Sequence, residues 1–71
     1  MTVKFADLEI GKIYSLKHLL LWRSIAFNIL LTKVHEFKEI ELSGFSYLTF
    51  DLKHRYMSAD DFEYYDCTKL S

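Results

Sequence analysis

The chain alternates short apolar runs with polar clusters, and little of its punctuation comes from glycine or proline. Proline is absent, and glycine stands only at positions 11 and 44. Element boundaries must therefore be read from period. Phe5-Ala6-Asp7-Leu8-Glu9-Ile10-Gly11 reads as a short helical turn closed by Gly11, the residue type that tolerates a positive φ. Residues 12–17 alternate, which puts Tyr14 and Leu16 on one face of a first strand. Residues 18–23 have no clear period and read as a loop with an apolar middle.

Residues 25–34 satisfy two periods. As a strand, Ile25, Phe27, Ile29 and Leu31 share one face, with Ser24, Asn28 and Thr32 on the other. As a helix, Lys17, Ser24, Asn28, Thr32 and His35 form one polar stripe opposite a wide apolar face. The β-branched residues Ile25, Ile29, Thr32 and Val34 favour the strand. His35-Glu36-Phe37-Lys38 then reads as a turn, and 39–42 as an alternating strand with one wet face. Ser43-Gly44 marks a turn or bulge. Residues 45–52 are aromatic and β-rich, with Leu48, Phe50 and Leu52 on one face.

The clearest local signal follows. Ser58-Ala59-Asp60-Asp61 has the form of a capping box, with Ser58 as N-cap and Asp61 three residues on. Met57 before the cap and Phe62 at the fourth helical position supply the matching hydrophobic staple. One short helical turn is predicted there, then a last strand over 63–68. The fold class that results is mainly β: a small, partly open barrel of about five strands, with a short helical turn before the last strand. The alternative is α+β, with a helix over about 17–34 packed on a three-stranded sheet.

The arrangement resembles an SH3-like small barrel. The residues that carry the likeness are Gly11-Lys12-Ile13-Tyr14-Ser15-Leu16 as the first strand, Tyr47-Leu48-Thr49-Phe50-Asp51-Leu52 as the fourth, and residues 57–62 as the turn before the fifth. The apolar stretch 19–31 departs from the polar first loop usual in such barrels. In size and composition the chain also resembles small accessory proteins of tailed phages.

Composition sharpens the picture. Seventy-one residues suffice for one domain, which at this size buries only about 60–65% of the surface of its unfolded chain. A 51% hydrophobic share, with 17% aromatic, offers enough apolar area to offset chain entropy. Cys67 is the single cysteine, so no intrachain disulfide forms, and an unpaired thiol suits a reducing compartment. Lys4, Asp7 and Glu9 interrupt any signal-peptide core, and Arg23, Ser24 and Asn28 break the best apolar stretch. The expected location is cytoplasmic.

Net charge is −1, but its distribution is split. Residues 10–35 hold Lys12, Lys17, Arg23 and Lys33 and no acid, whereas 36–71 hold eight acids against Lys38, Lys53, Arg55 and Lys69. Such a split serves attraction within the fold, solvation, or a bipolar surface that orients a partner.

No catalytic constellation emerges. His18, His35, His54 and Cys67 lack the paired spacing of metal ligands, so no metal or other cofactor is expected. Asp66 beside Cys67 opposes thiolate formation, and the carboxylates of Asp60 and Asp61 suit a helix start. No phosphate-cradling glycine loop is present. The expected function is a non-catalytic protein-interaction module, a phage-type accessory or inhibitor protein that occludes a surface on a larger partner. Candidate contact residues are Trp22, Arg23, Tyr47, Arg55 and Tyr56, because aromatics and Arg anchor interfaces. The alternative is a nucleic-acid-binding barrel using Trp22-Arg23 and His54-Arg55-Tyr56, against which stands a pI near 6.3. The acidic run 60–66 as a mimic of a nucleic-acid backbone is a minor variant of protein binding. An open barrel edge also allows pairing with a second copy.

Overall fold

A computed structural model describes residues 2–20 and 25–71. Five strands form one antiparallel sheet: β1 (Ile13–His18), β2 (Phe27–His35), β3 (Gly44–Thr49), β4 (His54–Ser58) and β5 (Tyr65–Lys69). A short helix, α1 (Ala59–Phe62), precedes β5, and 3-10 turns cover Phe5–Asp7 and Ile40–Leu42. The sheet order is β4-β3-β2-β1-β5. No ladder joins β4 to β5, so the sheet curls without closing. This is the mainly β, partly open architecture with a helical turn before the last strand, and the helix over 17–34 is excluded. Among the described residues no helix is long and apolar enough to cross a membrane.

The double reading of 25–34 has a physical cause. β2 pairs with β3 in register up to Leu31, and the register shifts between Leu31 and Lys33. One extra residue at this bulge moves the inward positions from odd to even numbers. Ile29 and Leu31 face the core before it, and Val34 packs on the core after it. The 3.6-like spacing of polar residues is therefore a strand with a bulge. Ile25 lies before β2 and is 87% exposed, so it does not join that apolar face.

Two strand assignments are corrected. The predicted strand 39–42 is instead the 3-10 turn Ile40–Leu42, with Ile40 and Leu42 exposed, and β4 takes its place among the five strands. The buried side chain of Ser43 organises this connection: its Oγ accepts from the Phe37 N–H at 2.9 Å and lies 3.2 Å from the Phe37 carbonyl. The second correction concerns 45–52. β3 ends at Thr49, and its inward residues are Phe45 and Tyr47, not Leu48. The last strand likewise starts at Tyr65, because the turn after α1 takes up Glu63 and Tyr64.

Thr49–Lys53 instead make a tight hairpin. The Thr49 N–H donates to the Lys53 carbonyl at 3.0 Å, and the Leu52 N–H donates to the Thr49 carbonyl at 2.9 Å. This is the three-residue loop that places its third residue in the left-handed region. That residue is Leu52, at φ 64°, where glycine is the usual occupant.

The capping signal is realised. The Ser58 hydroxyl accepts from the Asp61 N–H at 3.1 Å, and Met57 and Phe62 are both buried. Phe62 meets the Phe45 ring edge-on at 5.4 Å, and Phe5 reaches both rings at 6.5 Å. Gly11, at φ 84°, closes the N-terminal segment and donates its N–H to the Leu31 carbonyl at 2.8 Å.

Two substitutions test this backbone account. Leu52→Gly is expected to raise stability by roughly 0.5–1 kcal/mol, because an exposed leucine gives up left-handed strain and little burial. Gly44→Ala is expected to lower it by about 1–3 kcal/mol. A Cβ at Gly44 would sit 2.6 Å from the Met57 carbonyl oxygen and against the Tyr56 ring. Chemical denaturation reads both, and equal stability of Leu52→Gly and the parent would refute the strain assignment.

Candidate interaction surface

In an antiparallel meander the β1–β2 and β3–β4 connections leave the same end of the sheet. The turn before β5 joins them there, since the Leu19 N–H donates to the Tyr64 carbonyl at 2.7 Å. This end collects Leu19, Leu20, Ile25, Phe50, Leu52 and Tyr64, all exposed. Phe50 is 96% exposed and Leu52 77%, so the hairpin tip presents two large apolar side chains with almost nothing packed on them.

Beside the tip lies an open groove of about 550 Å³, lined by Phe27, Asn28, Thr49, Phe50, Asp51 and Arg55 among others. Its charged groups are unequal. Asp51 accepts from the Thr49 hydroxyl and pairs with Lys53 at 3.9 Å. Arg55 makes no ion pair with any described carboxylate. The groove thus offers an aromatic wall and an unmatched guanidinium, a pairing typical of protein contact sites.

The sequence-based contact residues separate. Tyr47 belongs to the core at 7% exposure: it points inward with Phe45 and pairs across the ladder with Leu31. Burial raises its phenol pKa, against the pull of nearby Arg55. Its ring is therefore not available to a partner. Arg55 and Tyr56 are both exposed, but as neighbours in a strand they leave opposite faces of the sheet. Arg55 shares the inner side with Tyr47, its ladder partner. Tyr56 lies on the outer face, over Gly44 and near the His35 ring at 5.9 Å. Trp22 and Arg23 lie outside the described residues.

The hairpin at Phe50 and Leu52 is hidden in the sequence because an uninterrupted alternation runs through them. The turn signal was weak: of Phe50-Asp51-Leu52 only Asp51 favours a turn. The polar cluster Asp51, Lys53, His54 and Arg55 was the one hint.

The outer face adds a second apolar feature. Ile13, Leu30, Leu48 and His54 stand in one row across β1 to β4, and the N–H of Leu70 extends it by donating to Ile13 at 2.8 Å. Neither ion pair among the described residues, Lys53 with Asp51 or Lys69 with Glu9, joins the basic segment 10–35 to the acidic one. No group of three or more His, Cys, Asp or Glu gathers among those residues. No protein-family model, curated protein or solved structure matches the chain. The class it falls in is therefore set by its own geometry: a small, open, five-stranded β domain with an apolar loop end.

Cys67 is fully buried, opposite Leu16 in β1. Burial first, then Asp66, pushes its thiol up to about 11 from 9.0. The thiol stays protonated in the native state at pH 8, so iodoacetamide should label it only after denaturation. The same shift gives a sign for pH. Stabilisation from the buried thiol is intact below pH 9.0 and is lost as pH rises toward about 11. Rapid labelling of the folded protein at pH 8 would contradict this placement.

Proposed function

We propose that this protein is a non-catalytic binding module that docks on a larger protein through its loop end, occluding the surface it covers. The observation that carries the reading is the exposed pair Phe50 and Leu52 on a hairpin that holds Leu52 left-handed. Full burial of each side chain contributes about 1.5–3 kcal/mol. Leaving both in water while straining one is unfavourable for the isolated domain. A partner pocket reverses that balance. Arg55 and the Phe27 wall flank the tip and extend the contact.

An accessory or inhibitor role, of the kind small phage proteins perform, follows if the covered surface is an active or assembly surface. A cytoplasmic setting suits the single unpaired cysteine. A second reading has its own observation. The outer face carries Lys33, His35, His54 and Tyr56 together on β2 and β4, which suits a nucleic-acid strand. It is the weaker reading because Arg55, the one permanently charged residue of β4, faces the other way from Tyr56.

Affinity capture followed by quantitative mass spectrometry tests the first reading, comparing the parent chain with Phe50→Asp and Leu52→Asp. One stoichiometric protein is expected with the parent, and each substitution should weaken its binding at least about tenfold. Single-stranded DNA and RNA are expected to bind no tighter than about 1 µM at physiological salt. Tighter, steeply salt-dependent binding that survives both substitutions would favour the outer-face reading instead.

A further inference from the structure

The free edge of the sheet specifies its occupant more closely than the apolar tip does. The sheet ends at β4 on one side and β5 on the other. The β5 edge is partly covered by the chain itself. Val3 donates its N–H to the Cys67 carbonyl at 2.7 Å, and the Thr2 hydroxyl donates to Asp66 at 2.5 Å. No described strand covers β4. The hydrogen bonds of an antiparallel pair alternate from the Thr49–Lys53 closure, so Arg55 and Met57 turn their backbone groups toward β3. Those of His54 and Tyr56 face outward. Two N–H and two C=O groups are thus presented to another extended chain, beside the groove that Phe27, Phe50 and Arg55 line.

We infer that β4 binds an extended segment of the partner protein by adding it as a sixth strand, with an Asp or Glu of that segment paired to Arg55. This rests on the protein-binding reading and names the form of the partner. Charge complementarity selects the occupant. β4 reads His-Arg-Tyr-Met-Ser, contains no acid, and holds an arginine without an ionic partner. A second copy pairing β4 with β4 would bring another Arg55 and no carboxylate, which leaves the guanidinium unmatched. A foreign strand with an acid opposite Arg55 satisfies the edge and the charge together. Its next apolar residue would enter the groove against Phe27 and Phe50.

The test is a displayed random dodecapeptide library panned against the full chain, followed by fluorescence anisotropy with the enriched peptides. Expected peptides carry an Asp or Glu with an apolar residue two positions away, on the same face of the added strand. His54→Pro removes one outward N–H at the start of an edge strand, a position that accepts proline. It should weaken binding at least tenfold, as should Arg55→Glu, and a peptide whose acid is changed to Lys should recover binding to Arg55→Glu. Thermal melts confirm that both variants fold. If nothing is enriched, or if enriched peptides bind His54→Pro and Arg55→Glu like the parent, strand addition at β4 is wrong. Peptides that lose binding only with Phe50→Asp would overturn the edge while leaving the loop-end reading standing. A concentration-dependent dimer in sedimentation, abolished by His54→Pro, would show that a second copy is the occupant and overturn the proposal.

Discussion

β4 and β5 do not pair, so this barrel is shut by side chains and not by a backbone ladder. Phe45 is the centre of that closure. Its ring is fully buried, meets Phe62 of α1 edge-on, and touches Phe5 of the N-terminal turn and Tyr47 of its own strand. The Val3 hydrogen bond to Cys67 then fastens the N-terminal segment to β5. Three separated parts of the chain meet on one ring. The sheet can stay open because the aromatic cluster keeps water from the core at its gap.

That closure decides where free surface remains. The N-terminal segment covers part of the β5 edge, and α1 covers the barrel beyond Ser58. The first residues of β4 and the two connections at the loop end lie away from both. A chain of this length has too little polar surface to cover everything. Five of its exposed apolar residues, Leu19, Leu20, Ile25, Phe50 and Leu52, share the end where the seam residues do not reach, while Phe37, Ile40 and Leu42 are exposed on the β2–β3 connection at the other end. The edge and the apolar end are therefore two consequences of one incomplete barrel.

Legibility in the sequence followed the number of independent signals per element. The α1 turn was legible because a cap, an acid at N3 and a staple coincide, and Ser58, Asp61, Met57 and Phe62 take those places. β1 was legible because Tyr14 and Leu16 alternate without interruption. β2 was readable as a strand through its β-branched content, but its bulge at Thr32 imitated a helical period. The failures came where alternation is blind to tertiary context. Glu39-Ile40-Glu41-Leu42 alternates perfectly and still forms a turn, because the backbone there is pinned by Ser43 and has no strand to pair with. Leu48-Thr49-Phe50-Asp51-Leu52 alternates too, and the chain reverses inside it. Of the expected contact residues, Arg55 is exposed beside the groove, while Tyr47 is buried in the core with Phe45 and Leu31.

The reversal at Leu52 bears most on the proposed binding role. A glycine at that position would relieve the left-handed backbone, and a polar residue at Phe50 would remove an exposed ring, with no loss of core packing in either case. The fold therefore gains nothing from these two identities. Elsewhere the chain follows local rules closely: a proper cap at Ser58, a glycine at the positive φ of Gly11, and a glycine where Tyr56 needs room. Sequences tend to break such rules where a site needs it. Two broken rules on one three-residue tip, next to an unmatched Arg55 and an open strand edge, place the cost where a partner could return it. That convergence, more than the total of exposed apolar residues, separates the loop end from the row Ile13, Leu30 and Leu48, which breaks no local rule.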